Sequence, residues 1–302
     1  LYLFLTKGKI PSYLGSSFAF ISPVMVILST SSYSDAQSGF IVFGLIFILF
    51  SLIIKYTGTG WIDIIFPPAC MGAIIAVIGL ELAPTAAGMA GLTGDVIDFR
   101  NIAVSMFTLA VTIIGSVAFK GFMAIIPILF GVICGYIFSF FMGLVDLAPV
   151  AAAPWFQMPH FYQPTFNAPA ALVVLAEHIG HLVVTGNVVE RNLIKDPGLA
   201  RSLFADGCSN VLSGFFGATP NTTYGENIGV MAITKVYSVW VIGGAAVMAI
   251  CLSFVGKLSE LIRSIPVPVM GGVCILLFGV IAASGIRVLV ESKVDYSKSA
   301  NL

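Results

Sequence analysis

Long apolar runs separated by short polar connections set the pattern of this chain. The runs at 40–54, 71–82, 102–119, 123–144, 236–255 and 267–286 include several that approach or exceed the roughly 20 residues needed to cross a ~30 Å hydrocarbon layer. About ten spans follow from the pattern: 11–30, 37–54, 64–82, 102–119, 121–144, 169–189, 198–216, 218–235, 237–255 and 267–286. The ~10-residue alternating segments of a membrane β-barrel are missing. The chain therefore reads as an all-α polytopic membrane protein, because helices satisfy their own backbone groups in lipid.

Two of the spans are interrupted. In the first, Pro11-Ser-Tyr-Leu-Gly-Ser-Ser-Phe-Ala-Phe20 is too rich in Gly, Ser and aromatics for a clean helix. Ser22-Pro23 then fits the N-cap and first residue of a short helix ending near Thr30. In the second, Pro220-Asn-Thr-Thr-Tyr-Gly225 reads as turn-like or extended, with a helix from about Glu226 to Lys235. Half-helices of this size are about 12–15 Å long, half a bilayer. Short, interrupted segments in corresponding places point to a midplane binding site between inverted repeats of a transporter. The alternative is a pair of kinked but continuous helices.

Composition agrees with the pattern: 58% of residues are hydrophobic, 9% are charged, and the mean hydropathy is +1.04. The net charge of zero offers no basic surface for nucleic acid. Cys70, Cys134, Cys208, Cys251 and Cys274 show no metal-ligand spacing and read as small core hydrophobes. Alternating the sides of the membrane places Lys7, Lys9, Lys55, Lys120, Arg191, Lys195, Arg201, Lys235, Arg287, Lys293 and Lys298 on one side. Arg100, Lys257 and Arg263 fall on the other. The first side is then cytoplasmic, and the Pro-rich loop 146–167 external.

Against this background Glu177 and Glu226 stand out, each inside an apolar stretch. A charged group at the centre of a membrane helix costs about 2.5–3.5 kcal/mol on insertion scales, so such groups face cavities and carry function. Glu177, His181 and Thr185 follow a four-residue spacing and share a helix face. His178 is rotated by about 100° and reads as a packed side chain. Glu226, at the start of a half-helix, meets free N–H groups and the positive end of the dipole. Carboxylate acceptors, amide donors near Phe18, and aromatic walls from Phe18, Phe20 and Tyr224 suit a planar heterocycle carrying N–H and C=O groups. Two carboxylates would repel a simple anion. His181 titrates near neutral pH when unperturbed, so the Glu177/His181 pair reads as a proton carrier. Asp206 either lines the same cavity or caps a kink, and Gly131-x-x-x-Gly135 suggests a close helix contact. An intramembrane hydrolase would need a nucleophile or metal beside Glu177 and His181, and the sequence supplies neither.

The strings Glu226-Asn-Ile-Gly-Val-Met-Ala-Ile-Thr-Lys235, Gly217-Ala-Thr-Pro-Asn-Thr-Thr-Tyr-Gly-Glu-Asn-Ile-Gly229, Ala176-Glu-His-Ile-Gly-His-Leu182 and Gly15-Ser-Ser-Phe-Ala-Phe-Ile-Ser-Pro23 resemble the nucleobase–ascorbate transporter family of nucleobase:cation symporters, in its uracil-carrying branch. Purine and xanthine members typically carry Gln where Glu226 stands. The resemblance implies fourteen spans in two inverted repeats of seven, of which about ten are expected here, divided into core and gate domains. The core would comprise 1–56 and 167–256, the gate 57–166 and 257–302. It implies substrate binding by Glu177, Glu226, Phe18, Gly225, Tyr224 and Ser17, and proton coupling by His181 with Glu177. The expected activity is proton-coupled uptake of uracil across the bacterial inner membrane by alternating access. The alternatives are transport of another nucleobase, such as xanthine, or of an anion on the same fold. No cofactor is expected beyond the proton gradient, and a homodimer through the gate is a family-level expectation. Residues 1–5 read as the tail of a span, and the stretch between Phe166 and Pro169 is about nine residues short for the family.

Overall fold

The computed structural model describes the chain apart from Phe18, Ala19, Ile62, Asp63, Ile65, Phe66, Asp95, Val96, His160, residues 166–193, Gly225, Glu226, Ile228, Gly229, Ala232, Ile233 and residues 299–302. Its elements in order are α1 (Tyr2–Leu5), β1 (Leu14–Ser16), α2 (Ile21–Thr30), α3 (Tyr33–Thr57), α4 (Pro68–Glu81), α5 (Ala83–Met89), α6 (Phe99–Ala118), α7 (Pro127–Phe141), α8 (Ala148–Ala152), α9 (Leu199–Phe216), β2 (Asn221–Thr223), α10 (Val239–Ser253), α11 (Gly256–Arg263) and α12 (Val267–Glu291). Among the described residues, four helices are long and apolar enough to cross a membrane: Tyr33–Thr57, Ala69–Met89, Phe99–Ala118 and Val267–Glu291. α7 and α10 are shorter apolar helices. The chain folds as two compact units that alternate along the sequence. One comprises Leu1–Ile74, His160–Ala249 and Val294–Leu302; the other comprises Ile75–Pro159 and Ile250–Lys293.

The first unit is built on α3 and α9. Ser32 opens α3 with a reciprocal capping box, accepting from the Asp35 N–H while the Asp35 carboxylate takes the Ser32 N–H at 3.1 Å. α9 runs antiparallel to α3 along a seam that repeats every seven residues. Gly214 lies against Gln37 and Ile41, Gly207 against Gly44, and the Ser51 hydroxyl donates to the Ala200 carbonyl at 2.6 Å. A Cβ on Gly207 would stand 2.7 Å from the Gly44 carbonyl oxygen. Lipid tails are as apolar as side chains, so this close approach, rather than escape from water, holds the pair together. Beside the seam, Phe20 packs edge-on against Phe40 and Phe43, with ring centroids 6.0 and 4.9 Å apart, and Phe47 and Leu203 complete a buried core. Phe20, expected from the sequence as an aromatic wall of the site, is therefore buried in this core.

The second unit packs by the same logic with a shorter step. Gly131 and Gly135 of α7 meet Thr112 and Thr108 of α6, which makes the predicted close contact real. The threonines stay satisfied by donating back within their own helix, Thr108 to Val104 and Thr112 to Thr108, at 2.8 and 2.7 Å. Gly271 and Gly272 bring α12 onto Ala90 and Ser105, and Gly79 of α4 meets Phe278 and Ala282.

Several boundaries differ from the sequence reading. α2 begins at Ile21 with Phe20 as its N-cap, ahead of the expected Ser22, and the Phe20 N–H already bonds back to the Ser17 carbonyl at 3.3 Å. The apolar run 121–144 starts as a 3-10 turn and becomes α-helical only at Pro127, whose missing N–H suits the first helical turn. The Ala- and Gly-rich stretch after Leu82 is helical to Met89. α8 and α11 fall where only connections were expected. Among the cysteines Cys274 is buried as read, whereas Cys251 is exposed.

Contacts within each unit also separate the charges. In the first, Lys9 pairs with Asp196 at 2.5 Å, and Gly8 lies beside Val239. The α3–α9 seam carries Lys55 and Arg201 to that same end. At the other end Asp35 accepts from the Thr165 hydroxyl at 2.5 Å, and the Tyr162 backbone lies against Gly217, the left-handed C-cap of α9. In the second unit α12 runs parallel to α6, which puts Arg287 toward Lys120. Arg100 and Arg263 sit at the opposite end, where Tyr136 bonds Ser264 at 2.8 Å.

Replacing Gly207 by Ala should destabilise the purified protein by about 1–3 kcal/mol through overpacking against backbone that cannot yield. Gly244→Ala, whose Cβ would meet nothing within 4 Å, is the control. Equal unfolding midpoints for the two variants would reject the seam as a rigid contact.

Candidate functional site

The two interrupted spans meet at their extended segments. β1 and β2 pair antiparallel, with Leu14 opposite Thr223, Gly15 opposite Thr222 and Ser16 opposite Asn221. The ladder continues past both ends: the Ser17 N–H donates to the Pro220 carbonyl and the Tyr224 N–H to the Tyr13 carbonyl, each at 3.0 Å. Each interruption thus supplies hydrogen-bond partners for the groups of the other that face it. Beyond β1 the chain enters α2, and beyond β2 the described residues Asn227, Val230, Met231 and Thr234 are helical. Because the strands are antiparallel, the two helices leave the sheet from opposite ends. The first turn of α2 has no side-chain cap, so its N–H groups are suited to an acceptor or a partial negative charge.

Tyr224 lies at the edge of this sheet. Its ring stacks on Tyr13, with centroids 6.1 Å apart and planes 24° apart, and it passes so close over Gly15 that a Cβ there would overlap the ring. Gly15 is required for this approach. Ser17 is buried beside it, and Thr219 bridges to the Ser16 hydroxyl at 2.6 Å.

Beneath β2 runs a polar face of α9. Ser202, Asp206, Asn210 and Ser213 follow each other at helical spacing, with Ser209 alongside. Ser202 shares a hydrogen bond with the Tyr2 hydroxyl at 2.7 Å. The Asn221 side chain donates to the Ser213 hydroxyl at 2.5 Å, and the Asn210 carboxamide bonds the Asn221 backbone. Asp206 is fully buried and accepts from Asn210 through its carbonyl at 3.0 Å and its carboxylate at 3.4 Å. It lies within continuous helix and caps no kink. The polar stripe at helical steps along α9 was readable in the sequence; that Asn210 and Ser213 grip β2 was not.

Of the predicted site residues, Ser17 and Tyr224 are brought to the two sides of the paired breaks. Phe18, Gly225, Glu226, Glu177 and His181 lie outside the described residues.

Apolar membrane-length helices and two broken spans joined by a short sheet define an integral membrane transporter fold. The transmembrane domain of a cyanobacterium bicarbonate transporter, BicA, superposes with a TM-score of 0.57 over 96% of this chain and 79% of that one, at 14% identity. The chain belongs to the Permease family, which it matches over residues 1–302, and is a transporter rather than an enzyme. It is 64% identical to a uracil permease of Escherichia coli (strain K12) over 312 positions, covering all of this chain and 72% of that protein. Another uracil permease, from Paenibacillus larvae subsp. larvae, is 61% identical over 315 positions, covering all of this chain and 75% of the relative.

The Gly15–Tyr224 contact predicts coupling. Gly15→Ala should cost stability in the wild-type background and much less beside Tyr224→Ala, with an interaction energy in the range of about 0.5–3 kcal/mol. Additive unfolding free energies in this double-mutant cycle would show that the ring does not press on Gly15.

Proposed function

We propose that this protein carries uracil into the cell with protons, as a multi-pass permease of a bacterial inner membrane working by alternating access. The observation that carries the reading is the 64% identity, over the whole chain, to a protein named uracil permease. It gains support from the residue at position 226, a Glu in this chain, where the resemblance puts Gln in purine carriers. On this reading Glu177 and Glu226 accept the pyrimidine N–H groups. Backbone N–H groups near Phe18 and Gly225 donate to its carbonyls, and Tyr224 and Ser17 bound the site. His181, one turn from Glu177, passes the proton.

Core and gate roles are proposed for 1–56 with 167–256 and for 57–166 with 257–302. The basic ends of both units, with Lys9, Lys55, Lys120 and Arg287, are proposed to face the cytoplasm. No cofactor is invoked beyond the proton gradient. Lipid surrounds the apolar faces, and a homodimer would form through the gate.

The test is uptake of labelled uracil by proteoliposomes under an imposed proton gradient, with unlabelled uracil, xanthine and bicarbonate as competitors. Uptake should require the gradient and be blocked by uracil alone; competition by bicarbonate instead would overturn the reading. Glu226→Gln should weaken uracil binding about 10–100-fold, the scale of a charge-assisted hydrogen bond; unchanged affinity would remove that carboxylate from the site. His181→Ala should retain binding and lose pH-driven uptake, and a variant with normal driven uptake would exclude a coupling role.

A further inference from the structure

Antiparallel pairing fixes which main-chain groups of β2 face β1. The hydrogen-bonded pairs are Ser17 with Pro220, Gly15 with Thr222 and Tyr13 with Tyr224, so Ser16 and Asn221 form a non-bonded pair. The N–H and C=O of Asn221 therefore point away from β1, to the outer edge of a two-stranded sheet. An edge of this kind inside a membrane leaves groups that hydrocarbon cannot satisfy.

Both groups are taken by one side chain. The Asn221 N–H donates to Asn210 Oδ1 at 2.6 Å, and Asn210 Nδ2 donates to the Asn221 carbonyl at 3.1 Å. Asn210 is fully buried on α9, and the same Nδ2 also reaches the Asp206 carbonyl one turn back at 3.0 Å. A carboxamide has the donor–acceptor layout of a peptide unit, so Asn210 stands where a third strand would place its backbone. Asp at this position could accept but not donate, Leu could do neither, and Gln would place the amide one methylene further out.

We propose that Asn210 is a positioning residue for substrate binding: a side-chain peptide mimic that fixes the register and height of β2 against the rigid α3–α9 pair. Its grip on Asn221 lies three residues before Tyr224 and five before Glu226. A slip there would move the residues proposed to meet the pyrimidine. For its ligand this inference rests on the uracil reading above.

The experiment compares wild type, Asn210→Asp and Asn210→Leu in proteoliposomes, normalised to monodisperse protein. Loss of the paired bonds should raise the KM for uracil by about tenfold, with Vmax per folded protein changed by no more than about twofold. A residue that only supports the fold would lower the yield of folded protein and leave KM alone; an unchanged KM in either folded variant overturns the proposal. Amide hydrogen exchange on the wild type provides a readout that needs no variant to fold. The Asn221 amide should exchange as slowly as the ladder amide of Ser17, and fast exchange at Asn221 beside a protected Ser17 overturns the proposal. If the wild type takes up no uracil, the substrate reading falls, and the exchange measurement still decides the role of Asn210.

Discussion

Hydrocarbon offers a peptide group no partner, and this constraint organises the described part of the first unit. A transporter that binds a polar solute near the membrane midplane must interrupt helices to present backbone groups there. Each interruption then exposes N–H and C=O groups at a depth where leaving them unpaired costs several kcal/mol. Here two interruptions are placed together as β1 and β2, and each supplies partners for the main-chain groups of the other that face it. At the outer edge of β2 the Asn221 groups, which the pairing cannot reach, are met by polar side chains of α9. The polar stripe on α9 thus follows from the break in the neighbouring span.

The platform under the sheet has to be stiff for this to work, and its stiffness comes from small residues. Gly44, Gly207 and Gly214 let α3 and α9 approach to backbone contact, with Ser51 bonding Ala200 at the next step of the same seam. A seven-residue step on both helices is the spacing of an antiparallel pair crossing at a shallow angle. In the second unit the step is four, through Gly131 and Gly135. There the facing threonines bond back into their own helix, so they add no unmet polar groups. Both devices replace hydrophobic transfer, which lipid makes nearly worthless between helices, with contact area and van der Waals attraction.

Much of this was legible in the sequence. Apolar runs of membrane length are unambiguous, and the Pro, Gly and Ser residues of 11–20 and the string Pro220-Asn-Thr-Thr-Tyr-Gly225 announced the two breaks and their extended character. The sorting of basic residues agreed with the ends found within each unit. Legibility stopped where the deciding contact was long-range. Nothing local distinguishes Phe20, which turns into the core against Phe40 and Phe43, from an aromatic lining a site. Asn210 sits in a helix where Asn is a poor former, and only the backbone of Asn221, eleven residues later, explains it. α11 was missed because its eight residues carry Lys257, Glu260 and Arg263 and read as a polar connection.

The likeness to a bicarbonate transporter domain shows how little the scaffold says about cargo. At 14% identity the two share a fold, and function on a common fold is decided by the side chains placed in its site. A helix N-terminus at a break favours acceptors and anions of any kind. The proposed difference lies in the added groups: carboxylates at 177 and 226 would offset those dipoles and repel an anion, while offering acceptors to N–H groups. A neutral ring with donors and acceptors side by side satisfies both halves of such a site. A carboxylate takes up and releases a proton far more readily than an amide, so the groups proposed to recognise the ring would also tie its binding to pH. On this reading selectivity and coupling are one electrostatic choice, made in a break whose backbone geometry is set by β1, β2 and the polar face of α9.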